Sequence, residues 1–179
     1  MGELALVVTE RIEYKVIEAD GEMEIRAYPR IVLATVYALS DNDAFGILFE
    51  YIQGHNRSKR RISMTVPVIS SERIAMTAPV ISTDKSFSFV LPSTFTAETA
   101  PEPLDERVRI EAFPERRVAV VRFRGRANYE TVSRKAAELL AFVRARGLEP
   151  RGKPFLMRYN PPFVPGLLRR NEVAVELSS

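Results

Sequence analysis

The chain has 179 residues, 46% of them hydrophobic and 27% charged, with 26 basic against 23 acidic side chains. That length is enough to bury a domain core, and a net charge of +3 singles out neither nucleic acid nor membrane, since nucleic-acid binding needs charge gathered on one face. With no cysteine and one histidine, His55, disulfides, thiolate metal sites, cysteine nucleophiles and multi-histidine centres are excluded.

The apolar run Leu4 to Val8 follows Glu3 rather than a basic patch. It is shorter than the roughly 7–15 apolar residues of a secretory segment or the roughly 20 of a membrane span, so a cytoplasmic protein is expected. Further on, Met23-Glu24-Ile25-Arg26-Ala27-Tyr28-Pro29 returns as Val108-Arg109-Ile110-Glu111-Ala112-Phe113-Pro114, an offset of 85 residues. The register continues without a gap, Leu33, Ala34 and Val36 meeting Val118, Ala119 and Val121. Each block alternates apolar and polar residues, breaks at proline and resumes, which predicts a β-hairpin or tight strand pair. A helix follows each block: Ala44–Gln53, capped by Asp41 or Asp43 and stopped at Gly54, and Tyr129–Arg146, capped by Asn128 and stopped at Gly147.

Strands are expected at Ser86–Leu91, Phe155–Tyr159 and Glu172–Leu177. A local repeat, Arg61–Ser70 and Arg73–Ser82, is strand-like in both copies, each with a proline unsuited to a central ladder position. The fold class is therefore α+β: two ββαβ-type halves, about residues 14–91 and 107–177, packed as one domain into a mostly antiparallel curved sheet with two helices. Residues Pro92–Glu106 join the halves.

The second helix carries one apolar stripe, Tyr129, Val132, Ala136, Leu139, Leu140 and Val143, with charges behind it. The first has two: Phe45, Leu48, Phe49 and Ile52, then Ile47 and Tyr51, with Gly46 leaving room for a close approach. Something must cover the second stripe: either the Met-Thr-Pro-Val segments or a dimer partner, or a ligand in a pocket closed by Phe163, Leu167 and Leu168. Beyond this helix, Arg57, Lys59 and Arg60 form either a solvated basic loop or an anion clamp at a pocket mouth. The commoner role for His55 is a surface residue at the last helical carbonyls, and the alternative is an axial iron ligand. Met64 and Met76 are core or pocket-lining residues. No nucleophile–base constellation and no phosphate-cradling glycine loop is present.

Ile74-Ala75-Met76-Thr77-Ala78-Pro79-Val80 resembles the central motif of the SOUL haem-binding family. Tyr159-Asn160-Pro161-Pro162-Phe163, Pro165-Gly166 and Arg169-Arg170-Asn171-Glu172-Val173 resemble its C-terminal signature. The Tyr14–Pro29 block and the Phe49–Asn56 helix end are similar too, so the likeness runs from about Tyr14 to Leu177. It implies a distorted antiparallel β-barrel flanked by two helices, and haem or another tetrapyrrole bound non-catalytically along the first helix. Carried onto this chain, the groove comprises Phe45, Leu48, Phe49 and Ile52, with Tyr159, Asn160 and Phe163 from the C-terminal loop and Arg57 and Lys59 for ligand carboxylates. Asp41–Gln53 contains no histidine, so the family's axial ligand is not transferred to His55 and no metal site is predicted. The same fold resembles effector-binding domains of multidrug-responsive regulators. The alternatives are therefore a free-standing sequestering protein for another small hydrophobic molecule and, after that, an enzyme acting on one. The expected partner is a small hydrophobic ligand, with no nucleic acid or membrane, for a monomer or weak dimer.

Overall fold

A computed structural model describes residues 8–59, 70–160 and 163–179. Residues 4–7, the 60–69 stretch with Arg60, Met64 and most of the first local repeat, and Pro161-Pro162 lie outside the described residues. The elements are β1 (Val8–Arg11), β2 (Lys15–Asp20), β3 (Met23–Tyr28), β4 (Ile31–Tyr37), α1 (Asp41–Ile52), β5 (Asn56–Arg57), β6 (Met76–Ser82) and β7 (Ser86–Val90). They continue as β8 (Glu102–Pro103), β9 (Arg109–Phe113), β10 (Arg116–Arg124), α2 (Tyr129–Ala145), β11 (Pro150–Arg158) and β12 (Arg170–Leu177). Nine strands form one strongly curled antiparallel path, β2-β3-β10-β12-β11-β6-β7-β4-β9, and β1 joins β6 in parallel. The fold is α+β, a curved half-barrel sheet with two helices.

The repeated blocks do not fold as hairpins. β3 and β4 are separated only by Pro29-Arg30, and β9 and β10 only by Pro114-Glu115, yet neither pair is hydrogen-bonded within itself. Instead β3 lies against β10 and β4 against β9, with Tyr28 opposite Arg116 and Ile31 opposite Phe113. Those pairs lie three positions apart on each strand, so two long strands run antiparallel in one register, interrupted only at the prolines. A proline fixes φ and lacks an N–H, so it breaks the ladder and bends the strand without reversing it.

Side-chain alternation sorts the strands into three apolar layers. Val118 and Val120 of β10, with Ile31 and Leu33 of β4, fill the sheet interior beside Met157 and Ala174. The opposite faces carry the helices: Ala119, Val121 and Phe123 meet Leu139 and Val143 of α2, and Val32, Ala34 and Val36 meet Leu48 and Ile52 of α1. The N-cap of α1 is Ser40, which accepts the Asp43 N–H at 3.2 Å; Asp41 and Asp43, expected as caps, occupy the first turn, where their charges complement the positive end of the helix dipole. Asn128 caps α2 by accepting the Thr131 N–H at 2.9 Å, and Gly147 supplies the positive φ of +69° that ends it.

The chain itself covers the second stripe of α1. Tyr51 is buried and its hydroxyl donates to the Pro101 carbonyl at 2.7 Å, while Ala100 and Phe95 pack into the same cluster. The 92–106 segment is thus a lid on α1. Gly46 is exposed, with nothing near its Cβ position. Asn56 closes the helix end, its amide donating to the carbonyls of Tyr51 at 2.7 Å and Glu72 at 2.9 Å.

A charged network lies inside the sheet. Arg26 on β3 and Glu172 on β12 are fully buried on either side of β10. Nη1 and Nη2 of Arg26 donate to Oε1 and Oε2 of Glu172 at 2.8 and 2.6 Å, and Nε donates to Glu24 Oε2 at 2.6 Å. Nη1 also reaches the Tyr28 hydroxyl at 2.8 Å, and the guanidinium lies 4.0 Å from the Tyr14 ring centre. Burial works to raise the Glu172 pKa, but hydrogen bonds and charge from Arg26, with help from Tyr159 and Arg170, hold it below the usual carboxylate range. Burial also lifts the Tyr28 hydroxyl to about 12.

Breaking a buried pair strands a charge, typically costing about 3–5 kcal/mol, whereas removing both partners often costs far less. Arg26→Met and Glu172→Gln are each expected to lower the unfolding free energy from urea melts by that order, and Arg26→Met/Glu172→Met to recover most of the loss; additive losses would show that the ion pair is not the coupled unit. Because the Glu172 pKa is lower folded than unfolded, the stabilisation is complete above the ordinary glutamate pKa. It fades as pH falls through the folded value, since the unfolded chain takes up the proton first. Urea melts below about pH 4.5 should show this acid loss in the parent and a shallower slope in Glu172→Gln.

Candidate functional site

A cavity of about 670 Å3 opens between the first turns of α1, strand β6 and the loops that precede α2 and β12, a size within the usual range for small-molecule sites. Its apolar surface comes from Phe45 of α1, Phe87 of β7, and Met76, Ala78 and Val80 of β6. The Phe45 ring is held edge-on by Phe89 and Phe87, at 5.4 and 6.4 Å between centroids, and Phe49 stacks on it one turn later at 5.9 Å and 12°. The Thr77 hydroxyl is buried in this wall and has no hydrogen-bond partner among the described residues. A buried hydroxyl of this kind calls for a partner supplied by whatever fills the space.

Three arginines line the cavity, Arg126, Arg158 and Arg169, against one acid, Asp41. Asp41 and Arg158 pair at 3.2 Å, linking the start of α1 to the end of β11. Arg126 lies across Gly166: a Cβ there would sit 2.8 Å from Arg126 Nε and 2.9 Å from its Cγ, so the absent side chain lets Arg126 pass closely over the loop. Asn160 accepts the Arg170 N–H at 2.6 Å and Asn171 donates to the Gly125 carbonyl at 2.7 Å, fixing both loops. Tyr159 forms the inner wall, with the Arg170 guanidinium 4.4 Å above its ring. Burial pushes its hydroxyl pKa far above the ordinary tyrosine value, with the neighbouring Tyr28 and Glu172 adding to the rise.

Of the residues expected from the sequence, Phe45, Tyr159 and Asn160 line this cavity together. Phe49 supports it from behind. Leu48 and Ile52, at 0% and 1% exposure, pack onto the sheet beneath α1 and do not reach the cavity. Arg57 and Lys59 follow the opposite end of a helix about 18 Å long; both are exposed, and Arg57 faces Glu102 at 3.7 Å. His55 is exposed at that same far end, its N–H bonded to the Glu50 carbonyl at 3.0 Å. Phe163, Leu167 and Leu168 are exposed rather than folded over the helix. Among the described residues no cluster of three or more His, Asp or Glu side chains is placed to hold a metal ion, and no helix is long and apolar enough to cross a membrane.

Sequence reasoning passed over Arg126, Arg158, Arg169 and Thr77. Three of them lay in or beside motifs already singled out: Thr77 between Met76 and Ala78, Arg158 just before Tyr159-Asn160, Arg169 inside the C-terminal signature. Only Arg126, two residues ahead of the α2 cap, carried no signal.

The placement of Leu48 makes Leu48→Asp a folding lesion: its carboxylate would sit unpaired in the core, and the cooperative thermal transition should be lost. Leu48→Ala is expected to cost about 2–5 kcal/mol. Gly166→Ala, which meets only a flexible side chain, should leave the melting temperature within about a degree or two while displacing Arg126; a large drop would mean that the 166 backbone, and not Arg126, is what needs glycine.

A sequence model described as SOUL heme-binding protein matches residues 9–176. No curated protein is matched. Among solved structures, a hydrolase from Listeria innocua is similar at a TM-score of 0.61 and 15% identity, over 90% of this chain and 94% of that one. The EcmrR C-terminal domain is similar at a TM-score of 0.54 and 12% identity, over 93% and 98%. An uncharacterized conserved protein from Listeria innocua is similar at 0.57 and 12%, over 88% and 92%. At such identities these likenesses establish a shared fold.

Proposed function

This chain belongs to the SOUL heme-binding protein family, and on that premise we propose that it binds haem, a free porphyrin or a similarly flat, carboxylate-bearing apolar molecule, without catalysis, in the cavity at the start of α1. The observation that carries the reading is the pairing of an aromatic and aliphatic wall, Phe45, Phe87, Met76 and Val80, with three arginines around the same space. A planar macrocycle gains about 25 cal/mol for each Å2 of apolar face removed from water, and its carboxylates take charge-assisted hydrogen bonds from guanidinium groups. Phe45, Tyr159 and Asn160 keep the ligand-contact role expected of them, Phe49 supports Phe45, and Arg126, Arg158 and Arg169 take the anion-pairing role assigned from sequence to Arg57 and Lys59. Haem, when bound, would bring an iron centre, and the cavity wall offers it no histidine, so the grip falls on the faces and carboxylates of the macrocycle.

Catalysis on the bound molecule is the weaker alternative. Both oxygens of Glu172 are already engaged by Arg26 and one by Arg170, and a carboxylate held in that way is a poor base. Sequestration of another flat hydrophobic molecule is the remaining alternative, favoured by the fold shared with the EcmrR domain.

Titration of the purified protein with haemin and with protoporphyrin IX tests the proposal. Saturable one-to-one binding is expected, protoporphyrin nearly matching haemin, with the haemin spectrum unchanged by His55→Ala. Asn42 lines the cavity from the exposed side of α1, so Asn42→Trp should block binding and leave the thermal melt intact. Saturable binding of neither compound would move the function to a different small molecule. Tight haemin binding lost in His55→Ala would relocate the site to the far end of α1.

A further inference from the structure

The bend at the two prolines creates a second cavity, of about 710 Å3, that no part of the porphyrin reading uses. Pro29 and Pro114 line it, with Tyr14 and Tyr28 between them and Lys15, Arg116, Arg117 and Arg151 around them. Arg116 is the unusual member. Its side chain is only 12% exposed, yet among the described residues none of its guanidinium N–H groups is hydrogen-bonded, and its Nε is buried without any partner. Its one acidic neighbour, Glu176, stays 3.7 Å from Nη1, beyond hydrogen-bonding distance, and Arg151 stands 3.9 Å from the same carboxylate. Phe113 covers one face, 4.7 Å from ring centre to guanidinium carbon.

A guanidinium offers five donors in a flat fork, and a cation withdrawn from water is costly unless paired and hydrogen-bonded. Arg26 shows how this chain satisfies such a group, with two carboxylates and a hydroxyl. Among the described residues Arg116 has only a loosely placed Glu176 as an acidic partner, shared with Arg151. Burial accordingly pulls the Arg116 pKa down despite the charge of Glu176 and nearby Tyr28. The other acidic side chains lining the cavity, Glu13 and Glu115, are solvent-exposed and form no ion pair among the described residues.

We propose that this corner is a second ligand site, taking the oxyanion group of a small molecule, carboxylate or phosphate, on the fork of Arg116 with Arg151, Arg117 and Lys15 around it. The site is separate from the cavity at α1, and neither proposal depends on the other.

The test is a titration of the whole protein with inorganic phosphate and, separately, with malonate, at fixed ionic strength, followed by the 1H–15N resonances of the arginine Nε groups. Saturable binding that shifts the Arg116 signal is expected, and the preferred titrant distinguishes phosphate from carboxylate. Arg116→Gln should weaken binding about ten- to hundredfold while leaving the melting temperature equal or higher, since a poorly paired buried charge is removed. Arg126→Gln, which lies outside this cavity, should leave the titration of the Arg116 signal as in the parent. No saturable shift with either anion, or equal affinity in Arg116→Gln, would overturn the proposal. Retention of protoporphyrin binding by Arg116→Gln keeps this outcome distinct from that of the porphyrin titration.

Discussion

The fold depends on a single long-range pairing, in which strand 23–37 runs antiparallel to strand 109–124 in one register, with a proline breaking each strand at the middle. Because each long strand bends there and does not reverse, its first part serves one end of the sheet and its second part the other. β3 and β10 sit toward one end of the path and β4 and β9 at the opposite end, and the covalent links across the prolines draw those ends together. The curl follows from that constraint, and so does the division of the core into an interior layer and two helix-covered faces.

Curling the sheet encloses a space that short aliphatic side chains do not fill alone, and polar groups have settled there. Arg26 and Glu172, from strands separated by β10, meet in the interior with their hydrogen-bonding groups satisfied. The pair contributes less to net stability than its short distances imply, because desolvation offsets much of the attraction, but it holds Tyr28 and Tyr159 in place. Those two tyrosines face the two cavities, Tyr28 the proline corner and Tyr159 the cavity at α1. A single buried network therefore sets the inner wall of both.

The two cavities differ in how their charges are met. Around the first, arginines border an apolar wall, an arrangement suited to a ligand with a greasy face and an acidic edge. At the second, prolines and tyrosines border one desolvated guanidinium lacking a close partner, which suits a small anion. The exposed residues Phe163, Leu167 and Leu168 lie on the loop beside the first cavity, where they leave its mouth open.

By itself the sequence determined the types of both helices and of the main strands, the α+β class and the caps of α2, because strand and helix periodicities and capping chemistry are local properties of neighbouring residues; the short strands β1, β5 and β8 and the early start of β11 at Pro150 carried no such local signal. It also marked Phe45, Tyr159 and Asn160, which lie in motifs. Only the tertiary structure decided which strands pair. The alternation around Pro29 and Pro114 is equally compatible with a hairpin and with exchange between the copies, and choosing between them requires partners 74 to 98 residues away. The same holds for the faces of α1: Leu48 and Phe45 share one stripe in the sequence, but the sheet takes Leu48 and the cavity takes Phe45. It holds too for charge. The basic run after α1 was conspicuous in the sequence and folds away from the cavity, while Arg126, Arg158 and Arg169, scattered over 44 residues, converge on it because two loops and a strand end meet there.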